Sequence, residues 1–126
     1  MAPRFDRQAS ASGPIVQGFA GGGFSVDGGI YRGLFLTPRS AHEWQAPPLA
    51  ELDMIALEPV LSIHPQPEFL LLGTGAGMAL APRSLVRVLS ERGIGLEAMD
   101  SKAAARTWGM LRAEERWIAA ALMSLD

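Results

Sequence analysis

Apolar positions fall in short runs separated by Gly, Pro and Asp, and their spacing changes character near the middle of the chain. Ile15-Val16-Gln17-Gly18-Phe19, Phe24-Ser25-Val26 and Ile30 to Thr37 have the look of strands, divided by Gly21-Gly22-Gly23 and Asp27-Gly28-Gly29. Asp-Gly between apolar runs predicts a hairpin, because a tight turn with φ > 0 needs residues that tolerate it. The glycine run is read the same way. A phosphate loop would need a helix signal and Lys-Ser/Thr after it, and neither follows. Within Ile30 to Leu36, Ile30, Leu34 and Leu36 share one face and Tyr31 and Phe35 the other. A sheet covered on both sides is therefore expected. Thr37 to Pro48 is expected to be a loop anchored by Trp44. Leu49 to Leu61 is predicted as a short helix with Leu52, Ile55 and Ala56 along one side, ended or kinked by Pro59. Ser62 to Pro67 is a Pro-rich connector.

The second half alternates differently. Phe69-Leu70-Leu71-Leu72 is fully apolar and stops at Gly73, as a strand buried on both faces would. Pro82 to Arg92 is the clearest helix: Pro82 suits its first turn, Leu85, Val88 and Leu89 form a stripe, and Gly93 stands where a C-terminal cap needs φ > 0. Ile94, Leu96 and Ala98 then alternate as in a strand, so a parallel strand-helix-strand unit is predicted. Asp100 or Ser101 can cap a further helix carrying Ala104, Trp108 and Leu111 at helical spacing, with Lys102, Arg106 and Arg112 on its surface. Propensity would make Trp117 to Met123 a helix, although its length suits a closing strand equally well. There is no internal repeat. The predicted fold class is α+β in one domain, residues 14–126, after a flexible tail at 1–13.

Composition narrows the function classes. With 126 residues a single core is the default, and 48% apolar residues are too many for a disordered chain. A net charge of −2 gives no cationic footprint for phosphate backbones, so no nucleic-acid partner is expected. The absence of cysteine removes disulfides, thiolate nucleophiles and Cys-based metal sites. The uncharged run Phe69 to Pro82 falls short of the ~20 apolar residues a bilayer demands, so no transmembrane segment is expected. Met1 to Gly13 has no apolar core of the kind a secretory signal carries.

Candidate chemistry is sparse. Gly73-Thr74-Gly75-Ala76-Gly77 follows an apolar strand, and Asp100 closes the next one, which has the outline of a dinucleotide fold. Two features oppose that outline. The helix begins near Pro82, too late to face the loop, and the glycine that lets helix and strand pack closely is missing. His42 and His64 stand in different loops with no carboxylate at ligand spacing, and there is no Gly-x-Ser-x-Gly elbow. Glu114 and Glu115 are a charged pair at an element boundary, which is usually just solvated. Asp100 with Arg106 has a simple explanation as a cap and an ion pair. No catalytic residue, metal site or cofactor is called for. Trp44, Trp108 and Trp117 are each better placed as core, with one of them a candidate anchor for a partner.

Phe69-Leu70-Leu71-Leu72-Gly73-Thr74-Gly75, Arg92-Gly93-Ile94-Gly95-Leu96-Glu97-Ala98-Met99-Asp100, and Ala104-Ala105-Arg106-Thr107-Trp108 with Leu111, Glu114 and Arg116 together resemble the small MTH-type domain family of unknown function. That family includes single-domain bacterial and archaeal proteins and a mitochondrial assembly factor of respiratory complex I (NADH dehydrogenase alpha-subcomplex assembly factor three). The resemblance spans about Ile15 to Leu125. It implies a three-layer β/β/α fold with a strand from about Arg116 to Leu122, against the helix that propensity favours. For the mitochondrial branch it also implies a non-enzymatic role in assembling respiratory complex I through contact with another assembly factor. Trp108, Gly109 and Glu115 depart from the family pattern, where Tyr, Asn and Gly are common.

The resulting expectation is a binding or assembly module whose surface is drawn from Gly73, Thr74, Gly75, Asp100, Arg106, Thr107, Glu114 and Arg116. Its partner would be a protein of a respiratory or membrane complex. The tail lacks the look of a mitochondrial presequence, so a bacterial cytoplasmic location is expected, with the inner membrane reached only through the partner. The alternative is a small-molecule or nucleotide site, or an enzyme of unfamiliar type, at the Gly-Thr-Gly loop.

Overall fold

Two turns with left-handed backbone create the first sheet. Gly21 and Gly22 (φ 58° and 79°) join β1 (Gly18–Ala20) to β2 (Gly23–Val26), and Asp27 and Gly28 (φ 49° and 86°) join β2 to β3 (Gly29–Tyr31). The three strands pair antiparallel in that order. Both hairpins are those expected from the glycine run and the Asp-Gly step. The computed structural model describes residues 13–126. The flexible tail expected at 1–13 lies, but for Gly13, outside those residues.

The run from Ile30 to Thr37 is not one strand. β3 ends at Tyr31, and β4 (Leu34–Leu36) belongs to a second sheet. Gly33 makes the break possible, since a Cβ there would lie 2.1 Å from the Trp44 carbonyl oxygen. Ile30 is accordingly exposed rather than sharing a face with Leu34 and Leu36, and Tyr31 packs on their side. The expected loop from Thr37 to Pro48 contains a strand, β5 (Ala41–Glu43), antiparallel to β4. Trp44 does anchor it, buried and stacked on Phe35 at 4.8 Å between ring centroids.

Leu49 to Leu61 divides into a single 3-10 turn, Leu49–Glu51, and α1 (Met54–Leu61), whose first turn is capped by the Asp53 carboxylate. Pro59 sits inside α1, and the helix runs two residues beyond it. The buried face is Leu57, Val60 and Leu61, while Ile55 is 83% exposed, which corrects the face predicted through Ile55. Next come β6 (Phe69–Gly73), α2 (Arg83–Glu91), β7 (Gly95–Met99), α3 (Ser101–Ala113) and β8 (Ala119–Leu122). The closing element is a strand, as the family resemblance implied and propensity did not. It lies at the centre of the second sheet, whose order is β5-β4-β8-β6-β7. β6 is parallel to both β7 and β8, and β4 is antiparallel to β8.

Alternation in this sheet sorts side chains between two cores. Phe35, Leu70, Leu72, Ala119 and Ala121 face α1 and α2. Leu34, Leu36, Leu71, Ala120 and Leu122 face α3 and the small sheet, where they meet Phe24, Val26 and the fully buried Trp108. The architecture is thus three-layered α+β: the small sheet with α3 beside it, the large sheet, then α1 and α2. Both later helices end in the same hydrogen-bonded cap. Ile94 N–H reaches Leu89 O and Gly93 N–H reaches Ser90 O; Arg116 N–H reaches Leu111 O and Glu115 N–H reaches Arg112 O. Arg112, expected on the surface, is buried, and its Nη1 donates to Arg116 O at 2.7 Å.

Candidate functional site

The parallel strands β6 and β7 both end where α3 begins, the edge at which open α/β layers usually bind ligands. Here the edge is tied to itself. Gly75 N–H donates to Ser101 Oγ at 2.8 Å, Ser101 Oγ donates to Met123 O at 2.7 Å, and Ser101 N–H donates to Gly75 O at 2.8 Å. Met123 N–H returns to Gly73 O at 2.9 Å. Thr74 N–H donates to Met99 O at 2.9 Å, and the Thr74 hydroxyl lies 2.6 Å from Gly77 O while accepting from Ala79 N–H at 3.1 Å. The loop therefore uses three of its own amides internally.

Glycine is required here for packing. A Cβ at Gly73 would stand 2.6 Å from Ser101 Oγ, and Gly75 adopts φ 101° with the Ser124 carbonyl 3.3 Å from where its Cβ would be. Gly73 and Gly75 are both buried. Asp100 is half-buried, and its carboxylate caps α3 by accepting from Ala103 N–H at 2.9 Å.

Of the expected surface residues, Gly73, Thr74, Gly75 and Asp100 come together at this edge. Arg106 and Thr107 follow one to two turns along α3. Arg106 is exposed and makes no ion pair with Asp100 among the described residues, and Thr107 Oγ1 contacts Met99 Sδ at 3.5 Å. Glu114 and Arg116 stand at the opposite end of α3. Arg116 Nη2 and Nε bind Glu68 Oε1 at 2.7 and 3.0 Å, just before β6 begins. That is about 16 Å from Gly73 along the strand. The Arg116 guanidinium holds the Glu68 carboxyl below its ordinary pKa.

Two further features at the glycine edge were not among the expected site residues. Met78 and Leu80, in the chain leading to α2, are 62% and 81% exposed. The signal was present in principle, as two large apolar residues in a segment of Gly, Ala and Pro. A concavity of about 370 Å³ is lined by Phe19, Gly21, Gly22, Ala76, Lys102 and Leu125, with the Lys102 ammonium 5.4 Å from the Phe19 ring centre. No sequence pattern joins those segments. Among the described residues no three of His, Cys, Asp and Glu are placed to hold a metal ion, and no helix is long and apolar enough to cross a membrane.

Comparison with known proteins gives this arrangement relatives. A family model described as a protein of unknown function (DUF498/DUF598) matches residues 16–123. The chain is 29% identical over 118 residues to NADH dehydrogenase (ubiquinone) 1 alpha subcomplex assembly factor 3 of Danio rerio, covering 93% of this chain and 67% of that protein. It is 33% identical over 125 residues to an uncharacterized protein of Rhodobacter capsulatus, covering 99% of this chain and 94% of the relative. A solution structure from Bordetella pertussis, described as a Mth938-like domain, superposes with a TM-score of 0.77 at 25% identity, covering 98% of this chain and 92% of its own.

Proposed function

This chain belongs to the DUF498/DUF598 family of proteins of unknown function, and on that footing we propose that it is a non-enzymatic module that binds another protein while a larger complex is put together. The observation that carries this is the kinship, over 93% of the chain, with a protein named as an assembly factor of NADH dehydrogenase. The partner is then a subunit or assembly protein of a respiratory or membrane complex, met from the bacterial cytoplasm. We assign the contact to the end of the domain where Gly73, Thr74, Gly75 and Asp100 meet, extended along α3 by Arg106 and Thr107.

Exposed Met78 and Leu80 beside that edge support protein contact, since apolar side chains of this size gain from being covered. The nucleotide alternative draws less support, because the amides of Thr74 and Gly75 are already spent inside the fold. Affinity purification of the tagged chain from its native organism tests the proposal. Reproducible recovery of subunits or assembly proteins of a respiratory or membrane complex is expected, and consistent recovery of none overturns it.

A further inference from the structure

β7 is the last strand of the large sheet and, among the described residues, has no neighbouring strand on its outer side. Its ladder to β6 runs through alternate residues: Gly95 N–H donates to Glu68 O, and Met99 O accepts from Thr74 N–H. In a parallel ladder the residues between these turn both backbone groups the other way, so the N–H and C=O groups of Leu96 and Ala98 face outward, with no strand among the described residues paired to them. Beside this edge, α2 overhangs. One depression of about 340 Å³ is lined by Val86, Ser90, Gly93, Ile94, Gly95 and Leu96. A second, of about 490 Å³, shares Val86 and Ser90 and adds Arg83, Arg87 and Glu91. The smaller depression lies between α2 and the start of β7, the larger one lies on α2 itself, and the two meet at Val86 and Ser90 to make one trough.

Three properties of the trough define what fits it. The outward groups of Leu96 and Ala98 match only another extended backbone, which is the chemistry of strand addition. Val86, 43% exposed on the overhanging face, offers apolar surface to one side of such a strand. Arg83 and Arg87, one turn apart on that face, make no ion pair among the described residues. Glu91, the acidic residue in the same lining, stands one turn beyond Arg87 towards Gly93. Arg92 beyond it is engaged with Glu58 at 3.8 Å.

Resting on the reading of the chain as a protein-binding module, we propose that the α2–β7 trough docks an extended segment of another protein, added as a strand beside β7 and presenting carboxylates to Arg83 and Arg87. Side chains of the added strand that point toward α2 meet the arginines and Val86, whereas those pointing away meet the side of β7 that carries Glu97.

Two blocked eight-residue peptides, one alternating valine with glutamate and one alternating valine with lysine, are the probes. They are titrated into the whole protein while backbone amide resonances and their hydrogen exchange are followed. The glutamate peptide is expected to shift the Leu96 and Ala98 amides saturably and to slow their exchange. The lysine peptide and the Arg83→Glu/Arg87→Glu double variant are expected to bind at least tenfold more weakly. Equal response to both peptides, or no saturable change at these two amides, overturns the proposal. Protection of the edge that rises with protein concentration in the absence of peptide also overturns it, by showing a second copy of the chain there. If the affinity purification recovers a partner that the double variant still holds, the trough is wrong while the assembly role stands. If peptides bind as expected and no complex subunit is recovered, the reverse holds.

Discussion

The buried hydroxyl of Ser101 fills the space that a side chain at Gly73 would need, leaving 2.6 Å to its Cβ. The same hydroxyl joins three segments, accepting a hydrogen bond from the amide of Gly75 and donating one to the carbonyl of Met123. Gly73→Ala is expected to destabilise the fold by about 2 kcal/mol, as over-packing of a full site does. Ser101→Ala is expected to cost about as much, by leaving a buried donor and acceptor without partners. The double variant should not recover the loss, because the Ser101 Cα, 2.9 Å from the same point, remains. Urea midpoints measure all three, and a double variant more stable than Gly73→Ala would show the hydroxyl alone to be the obstacle.

Asp100 is placed to cap α3 through Ala103 N–H. Asp100→Ala should cost about 1 kcal/mol and Asp100→Asn only a few tenths, since an amide oxygen also caps. A large loss in partner recovery with Asp100→Asn, at unchanged stability, would instead assign the carboxylate to the contact surface.

Two exposed carboxylates sit below their ordinary pKa. Glu68 is lowered chiefly by its hydrogen bond from Arg116, and Asp126 by hydrogen bonds from Arg32 and Ser124. A lowered folded pKa means that the unfolded chain takes up the proton first as pH falls. Their contribution to stability is therefore complete above the ordinary carboxylate range and disappears as pH drops through the lowered folded values. In Arg116→Met the Glu68 titration, followed by side-chain NMR, should return toward its ordinary position, and the acid limb of stability against pH should shrink slightly. An unmoved Glu68 titration would contradict the pairing.

The packing of the Gly-Thr-Gly loop leads to a direct outcome for nucleotides. Melting of the protein should be unchanged by ATP, NAD or inorganic phosphate at millimolar concentration. A ligand held at ~100 times its dissociation constant adds about 2.7 kcal/mol, so a rise of several degrees would place a real site in the concavity beside Ala76 and Lys102.

What could be read from the residues was whatever is decided locally. Asp27-Gly28 and Gly93 announce positive φ, and Asp100 announces a cap, because turn and cap chemistry acts over three or four residues. The break between Tyr31 and Leu34 was hidden, since the reason for Gly33 is the Trp44 carbonyl, eleven residues away. β5 was hidden because Ala-His-Glu on an edge has no apolar alternation. β8 was hidden by alanine, which favours helix in isolation. In the middle of this sheet it packs as a small residue with layers on both faces; length left a strand open, and the family resemblance decided for it. At the site, the capping role of Asp100 was visible. The burial of Gly75 under Ser101 and Ser124 was not, because it depends on where β8 returns.

Glu115 occupies in the cap of α3 the position that Gly93 occupies in the cap of α2. Both residues follow a helix in the same two-bond motif, and both have left-handed backbone, with φ 61° and 78°. An L side chain in that region costs about 1–2 kcal/mol, which glycine avoids. A carboxylate at a helix C-terminus adds unfavourable interaction with the helix dipole. Against this, glycine loses about 0.5–1 kcal/mol through its greater freedom in the unfolded chain. Glu115→Gly should therefore stabilise the protein by about 1 kcal/mol, with Glu115→Asn in between, and Gly93→Ala should destabilise it by about 1 kcal/mol. Chemical denaturation of the three variants decides the matter. A lower midpoint for Glu115→Gly would mean that the Glu115 side chain makes a contact whose worth exceeds the backbone strain.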